Sequence, residues 1–153
     1  MTNSDAKRPS GCPIAFGLDT FGDRWTLLII REMLFRGKST YGDFLAADEG
    51  ISTNILANRL KHLEAEDIVM KRRDPENFRS FLYELTPKGF DLAPILIEIV
   101  RWSGRHDDRP DRLTEMVNRV ENDREGLGRE IEARRSAAQQ NRAASERQGQ
   151  QIN

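Results

Sequence analysis

Cysteine occurs once in the 153 residues, at Cys12, and histidine twice, at His62 and His106. An intrachain disulfide is thereby excluded and a structural zinc cluster, which takes four such ligands, is not expected. No glycine-rich phosphate loop and no Ser-His-Asp set can be assembled, so the reading is of a protein that is not an enzyme and holds no metal or cofactor. The adjacent acids Asp107-Asp108 sit in a polar connector and read as a helix boundary in preference to a general acid and base. Long apolar runs are missing too: the longest, Ala93 to Val100, is broken by Pro94 and Glu98 and falls well short of the roughly 20 residues a membrane helix needs. The opening Met-Thr-Asn-Ser-Asp-Ala-Lys-Arg has no apolar stretch behind its positive charge, so no signal peptide and a cytoplasmic location are expected. Nor is there an excess of charge of one sign, the formal net charge being −1. That argues against holding a polyanion by bulk charge, but a local basic stripe remains open, because acids more than about 8–10 Å away are largely screened.

What is present is a succession of helix signals. Residues 1–11 carry too few apolar side chains to fold alone and are expected to be flexible. Pro13 opens a short helix with Ile14, Ala15, Leu18 and Phe21 at helical spacing, ended by Gly22. Asp23 caps the next, in which Trp25, Leu28, Ile29 and Met33 with Leu27, Ile30 and Leu34 make nearly every side apolar, as in the central helix of a small bundle.

Beyond Gly37, Lys38-Ser39-Thr40 supplies a short extended piece, and Thr40 with Asp43 makes a capping pair for a helix over Tyr41 to Ala47. Gly50 permits a tight turn. Ser52 then caps a helix to about Glu66. At 100° per residue Leu56, Leu60 and Leu63 fall within about 60° of one another and define its buried face. Asn54, Asn58, Lys61 and Ala65 lie opposite, with Ser52, Thr53, Arg59 and His62 at its start or flanks. Asparagine is a poor helix former, so two on one exposed face lose stability without structural gain. Their amides match the donor and acceptor of adenine in the DNA major groove, and Lys61 can reach guanine acceptors or a phosphate. A merely tolerated polar face is the alternative.

Val69 to Arg73 and Ser80 to Leu85 are strand candidates joined through Asp74-Pro75-Glu76-Asn77, which favours a type I turn. Lys71, Arg72, Arg73 and Arg79 cluster on this hairpin as a basic ridge suited to phosphates or the minor groove. Such charges also simply block edge pairing. Thr86 and Pro87 open a further helix through Phe90, Leu92, Ile95, Leu96, Ile99, Val100 and Trp102, apolar on more than one face. A domain of this size cannot cover so much apolar surface, so the helix is expected to pack against a second copy in a C2 dimer. From Pro110 a helix with Leu113, Met116, Val117 and Val120 continues weakly to Leu127 and Ile131, and beyond about Arg135 the polar composition predicts disorder.

The strings Cys12-Pro13-Ile14-Ala15, Gly22-Asp23-Arg24-Trp25-Thr26-Leu27-Leu28-Ile29-Ile30-Arg31-Glu32, Ile51-Ser52 with Leu56, Arg59-Leu60 and Leu63-Glu64, and Tyr83-Glu84-Leu85-Thr86-Pro87-Lys88-Gly89 resemble the HxlR-type winged-helix transcriptional regulators of bacteria over roughly residues 12 to 105. The resemblance implies a dimeric repressor or activator of MarR-like architecture, with Ser52 to Glu66 as recognition helix and the hairpin as wing. Two departures stand out. Phe78-Arg79 replaces the paired prolines common before the second wing strand, and the helix from Pro110 lies outside the shared module.

The combined expectation is a mainly α fold with a small β-hairpin (α+β): a winged helix-turn-helix with extra N- and C-terminal dimerisation helices. Its parts are a flexible segment 1–11, a DNA-binding domain 12–106, an additional helix 107–135 and a disordered tail 136–153. The expected partners are a second copy and an inverted-repeat duplex, with an oxidant or small molecule as effector and no membrane. Ser52, Thr53, Asn54, Asn58, Arg59, Lys61, His62, Lys71, Arg72, Arg73 and Arg79 form the expected DNA face. The rival class is a winged-helix module that holds a protein partner without binding DNA. Cys12, ahead of Pro13 at a helix N-terminus, is a candidate redox sensor, since that position favours a thiolate and some members of the resembled family sense oxidants there. The alternative is a small buried hydrophobe packing near Trp25.

Overall fold

The computed structural model describes residues 10–151, so most of the segment 1–11 and the last two residues of the expected tail lie outside the described residues. The chain groups into two compact units that divide between Glu84 and Leu85.

The first unit holds α1 (Pro13–Phe21), α2 (Arg24–Arg36), α3 (Tyr41–Leu45), α4 (Thr53–Ala65), β1 (Val69–Arg73) and β2 (Phe81–Leu85), the last residue of β2 opening the second unit. Local chemistry sets the boundaries. Asp23 accepts from the amides of Trp25 (2.9 Å) and Thr26 (3.1 Å), starting α2, and Gly37 ends it in the left-handed region at φ 63°. Thr40 and Asp43 form a reciprocal capping box on α3. On α2 the buried side chains include Ile29, Ile30, Met33, Leu34 and Phe35, and α2 packs on α4 through the latter's buried Leu56, Leu60 and Leu63. Trp25, Leu27 and Leu28 are only half-buried, so α2 is less enclosed than its sequence suggests. Glu32 is buried on α2, its carboxylate accepting from Arg31 (2.7 Å) and Arg36 (2.9 Å). The two strands form the described sheet, in order β1-β2. The extended piece at Ser39 contributes one bond, its carbonyl accepting from the Tyr83 amide at 2.8 Å.

Ile14 and Leu18 are exposed, Phe16 half so, and Cys12, the residue before α1, is exposed as well, which overturns the alternative of a thiol packed in the core.

The second unit contains α5 (Pro87–Phe90), α6 (Ala93–His106), α7 (Glu115–Asn122) and α8 (Arg124–Gln150). Three expectations are corrected here. The single helix from Pro87 to Trp102 is interrupted after Phe90, because Pro94 has no amide to bond the Phe90 carbonyl. The helix expected from Pro110 begins only at Glu115 and breaks at Asp123 (φ −137°), whose carboxylate turns to accept the Gly126 amide at 3.2 Å and caps α8. The tail expected to be disordered continues α8 to Gln150: Ala, Gln, Arg and Glu are strong helix formers, and the helix is anchored by buried Leu127 and Ala138. α7 packs on α6 where Gly104 admits Val117, against which any Cβ at 104 would press. Ion pairs Arg124–Glu98, Arg101–Glu121 and Arg135–Asp91 link the helices of this unit.

Candidate nucleic-acid interface

The turn between α3 and α4 presents the second helix. Gly50 takes φ 69°, a left-handed conformation costly for other residues. Glu49 is held by Arg24 (3.0 Å) and Arg31 (2.9 Å), so two cations from α2 clamp the turn. Tyr41 donates to the Thr53 carbonyl at 3.0 Å, fixing α3 to the first residue of α4, and Ser52 accepts from the Ile55 amide at 3.3 Å. Burial opposes ionisation of Asp43, yet hydrogen bonds from Thr40 and the Ser39 amide, with Lys38 nearby, hold its carboxyl below the ordinary range.

With Leu56, Leu60 and Leu63 buried, α4 exposes Ser52, Thr53, Asn54, Asn58, Lys61 and Ala65. Ala57 is exposed between them, a position sequence reasoning passed over because alanine advertises no chemistry. Its methyl lets a surface approach closely and suits apolar contact with a thymine methyl. Arg59 is half-buried at the flank. His62 is turned elsewhere: Nε2 donates to the Thr20 carbonyl at 2.7 Å, tying α4 to α1.

The hairpin divides its cations by the period-two alternation of a strand. Lys71 and Arg73 share a face, their charges 4.1 and 4.4 Å from the Phe81 ring centroid. Arg72 points the other way and donates to Glu84 at 2.8 Å, half-buried, so its charge is spent within the sheet. Arg79 is exposed. Lys61, Lys71 and Arg79 have no acidic partner among the described residues, whereas Arg101, Arg109, Arg119 and Arg124 of the second unit all do. The near-zero net charge therefore conceals a stripe of unneutralised cations on α4 and the hairpin.

The HxlR-like helix-turn-helix family matches residues 20–111, which contain α2 to α6 and both strands. The chain belongs to this family. The HTH-type transcriptional regulator sll1512 of Synechocystis sp. is 37% identical over 86 residues, covering 56% of this chain and 63% of that protein, less than two thirds of its length. A protein of Porphyromonas gingivalis assigned to the MarR family of transcriptional regulators has a solved structure with TM-score 0.57 and 30% identity, covering 65% of this chain and 96% of its own. The redox regulator HypR in its oxidised form gives TM-score 0.57 and 27% identity, covering 64% of this chain and 100% of its own. The architecture is thus a winged helix-turn-helix of MarR-like type, with α7 beyond residue 111 and α8 outside the family match. No helix of the described residues is long and apolar enough to cross a membrane.

Proposed function

We propose that the protein is a homodimeric, cytoplasmic bacterial transcriptional regulator, without enzymatic activity, that binds an inverted-repeat DNA duplex. α4 lies in the major groove and the wing on the backbone or minor groove of the same half-site. The observation that carries this reading is the exposed face Asn54, Ala57, Asn58 and Lys61 on a helix whose other face is fully engaged in the core. An amide pair around a methyl-sized gap is base-reading chemistry. Ser52 and Thr53 at the helix start, Arg59 at its flank, and Lys71, Arg73 and Arg79 on the wing supply phosphate contacts that set register. His62 and Arg72, already bonded within the protein, act by orienting the helix and the strand pair.

Dimerisation rests on α6, where Ile95, Ile99 and Trp102 recur at helical spacing and stay exposed, Trp102 at 65%. A two-fold dimer matches a two-fold operator. Binding selection from genomic fragments followed by sedimentation of the complex tests the reading. The expected result is a dimer on an inverted repeat; a chain that is monomeric at micromolar concentration and retains no duplex contradicts it and favours the protein-interaction module.

Oxidant sensing belongs to the same proposal. Cys12 is exposed at the N-cap of α1, and with no second cysteine in the chain its products are a mixed disulfide, an adduct or a disulfide between subunits. Diamide treatment is expected to change DNA affinity in the wild type and leave Cys12→Ser unchanged; equal affinity before and after treatment in the wild type removes the sensor.

A further inference from the structure

Phe78 is 74% exposed at the tip of the hairpin, an unusual place to keep a large aromatic ring in water. The loop that displays it is firmly built. The Asp74 amide donates to the Ser80 carbonyl (3.1 Å) and the Ser80 amide to the Asn77 carbonyl (2.9 Å). Asp74 accepts from the Glu76 amide (2.9 Å) and Asn77 from the Arg79 amide (3.2 Å). Arg73 donates to the carbonyl of Phe78 itself at 2.8 Å. The ring therefore projects from a preset support, and little ordering cost is left for binding.

We propose that Phe78 is an apolar wedge which the wing inserts into the minor groove, selecting duplexes by how readily a base step deforms. This rests on the DNA-binding reading above and adds a specificity-determining residue to it. A benzyl group has nothing to offer a phosphate. What it fits on DNA is the apolar side of the deoxyribose rings and the space between partly unstacked bases, the chemistry of groove-inserted wedges. The surrounding charges bring the ring there: Arg73 and Arg79 flank it and Lys71 stands two residues behind Arg73 on the same strand face, while Asp74 directs its carboxylate to the loop's own donors, leaving Glu76 as the exposed acid. Pyrimidine–purine steps unstack most easily, so the wedge favours a TA step over AA where it inserts.

The test uses the full chain and duplexes recovered by binding selection, carrying either TA or AA at the step that footprinting places under the wing. Affinity is measured by fluorescence anisotropy for wild type, Phe78→Ala and Phe78→Trp across a salt series. Phe78→Ala is expected to bind about tenfold more weakly, the effect of leaving one aromatic ring's apolar surface unburied, with the salt slope unchanged and the TA preference abolished; Phe78→Trp retains both affinity and preference. Wild-type affinity and preference in Phe78→Ala overturn the wedge while leaving the DNA-binding reading intact. A shift in the sedimentation of free Phe78→Ala overturns it in favour of self-association through the tip, and wild-type protein that binds no duplex overturns both readings.

Discussion

Asn58 stands exposed at the centre of the α4 face, and its amide is the group whose removal isolates base reading from charge. Asn58→Ala is expected to cost about 1–3 kcal/mol at the selected site and to relax base choice there. Arg79→Ala is expected instead to weaken all duplexes alike and to reduce the salt slope by about 1 for each phosphate that Arg79 neutralises. Quantitative binding across a panel of single-base variants separates the two. A different residue-level outcome concerns Asp107, which the Arg109 guanidinium at 2.6 Å, followed by the Arg109 amide, lowers to a pKa of about 2. A depressed carboxyl contributes order that is present above its ordinary range near pH 4 and lost as pH falls through the folded value. Carboxyl-carbon NMR is expected to give a midpoint near 2 for Asp107, moving up toward the ordinary range in Arg109→Ala. At this scale most of the face was legible from leucine spacing alone. Ala57 was not, because exposure of a small neutral residue leaves no pattern, and the engagement of His62 and Arg72 was not, because Thr20 lies 42 positions from His62 and a strand pairing brings Arg72 to Glu84.

Among the elements, α4 depends on both its cap and its buried stripe. Leu56 is wholly inaccessible, and Leu56→Ala is expected to lower stability by about 2–5 kcal/mol through forfeited transfer energy and the cavity left behind. Thr40→Ala, which removes half of the α3 capping box, costs about 1 kcal/mol. Chemical denaturation of both variants reads these directly, and a reversed order would mean that the helix-turn-helix is held mainly by its caps. Caps were the most legible features of the chain, since Asp23, Thr40, Ser52 and Thr86 act on amides two or three residues away. The break at Pro94 and the ordered α8 were less so. At the first, one missing amide opposes a continuous apolar stripe. In the second, good propensity and a few anchors such as Leu127 and Ala138 hold a polar helix whose composition alone argues for disorder.

For the molecule as a whole, charge distribution and assembly matter more than totals. A net charge of −1 is compatible with DNA binding because Arg101, Arg119, Arg124 and Arg135 of the second unit are paired with acids of that unit, whereas Lys61, Lys71 and Arg79 of α4 and the wing have no acidic partner among the described residues. Ile99→Glu places a charge in the exposed apolar stripe of α6 and is expected to yield a monomer by sedimentation with the melting temperature little changed; a variant that stays dimeric would move the self-association surface elsewhere. The division at Glu84 was invisible in the sequence because the last strand and the following helix run on without a linker. The proposed function turns on whether α4 and the wing hold duplex DNA. Its most direct measurement is the affinity of the wild-type protein for a selected inverted-repeat duplex over a range of salt. Four exposed cations per chain, Lys61, Lys71, Arg73 and Arg79, predict saturable binding by a dimer with a slope of log affinity on log salt of about −7; no saturable binding at low salt, or affinity independent of salt, would contradict it.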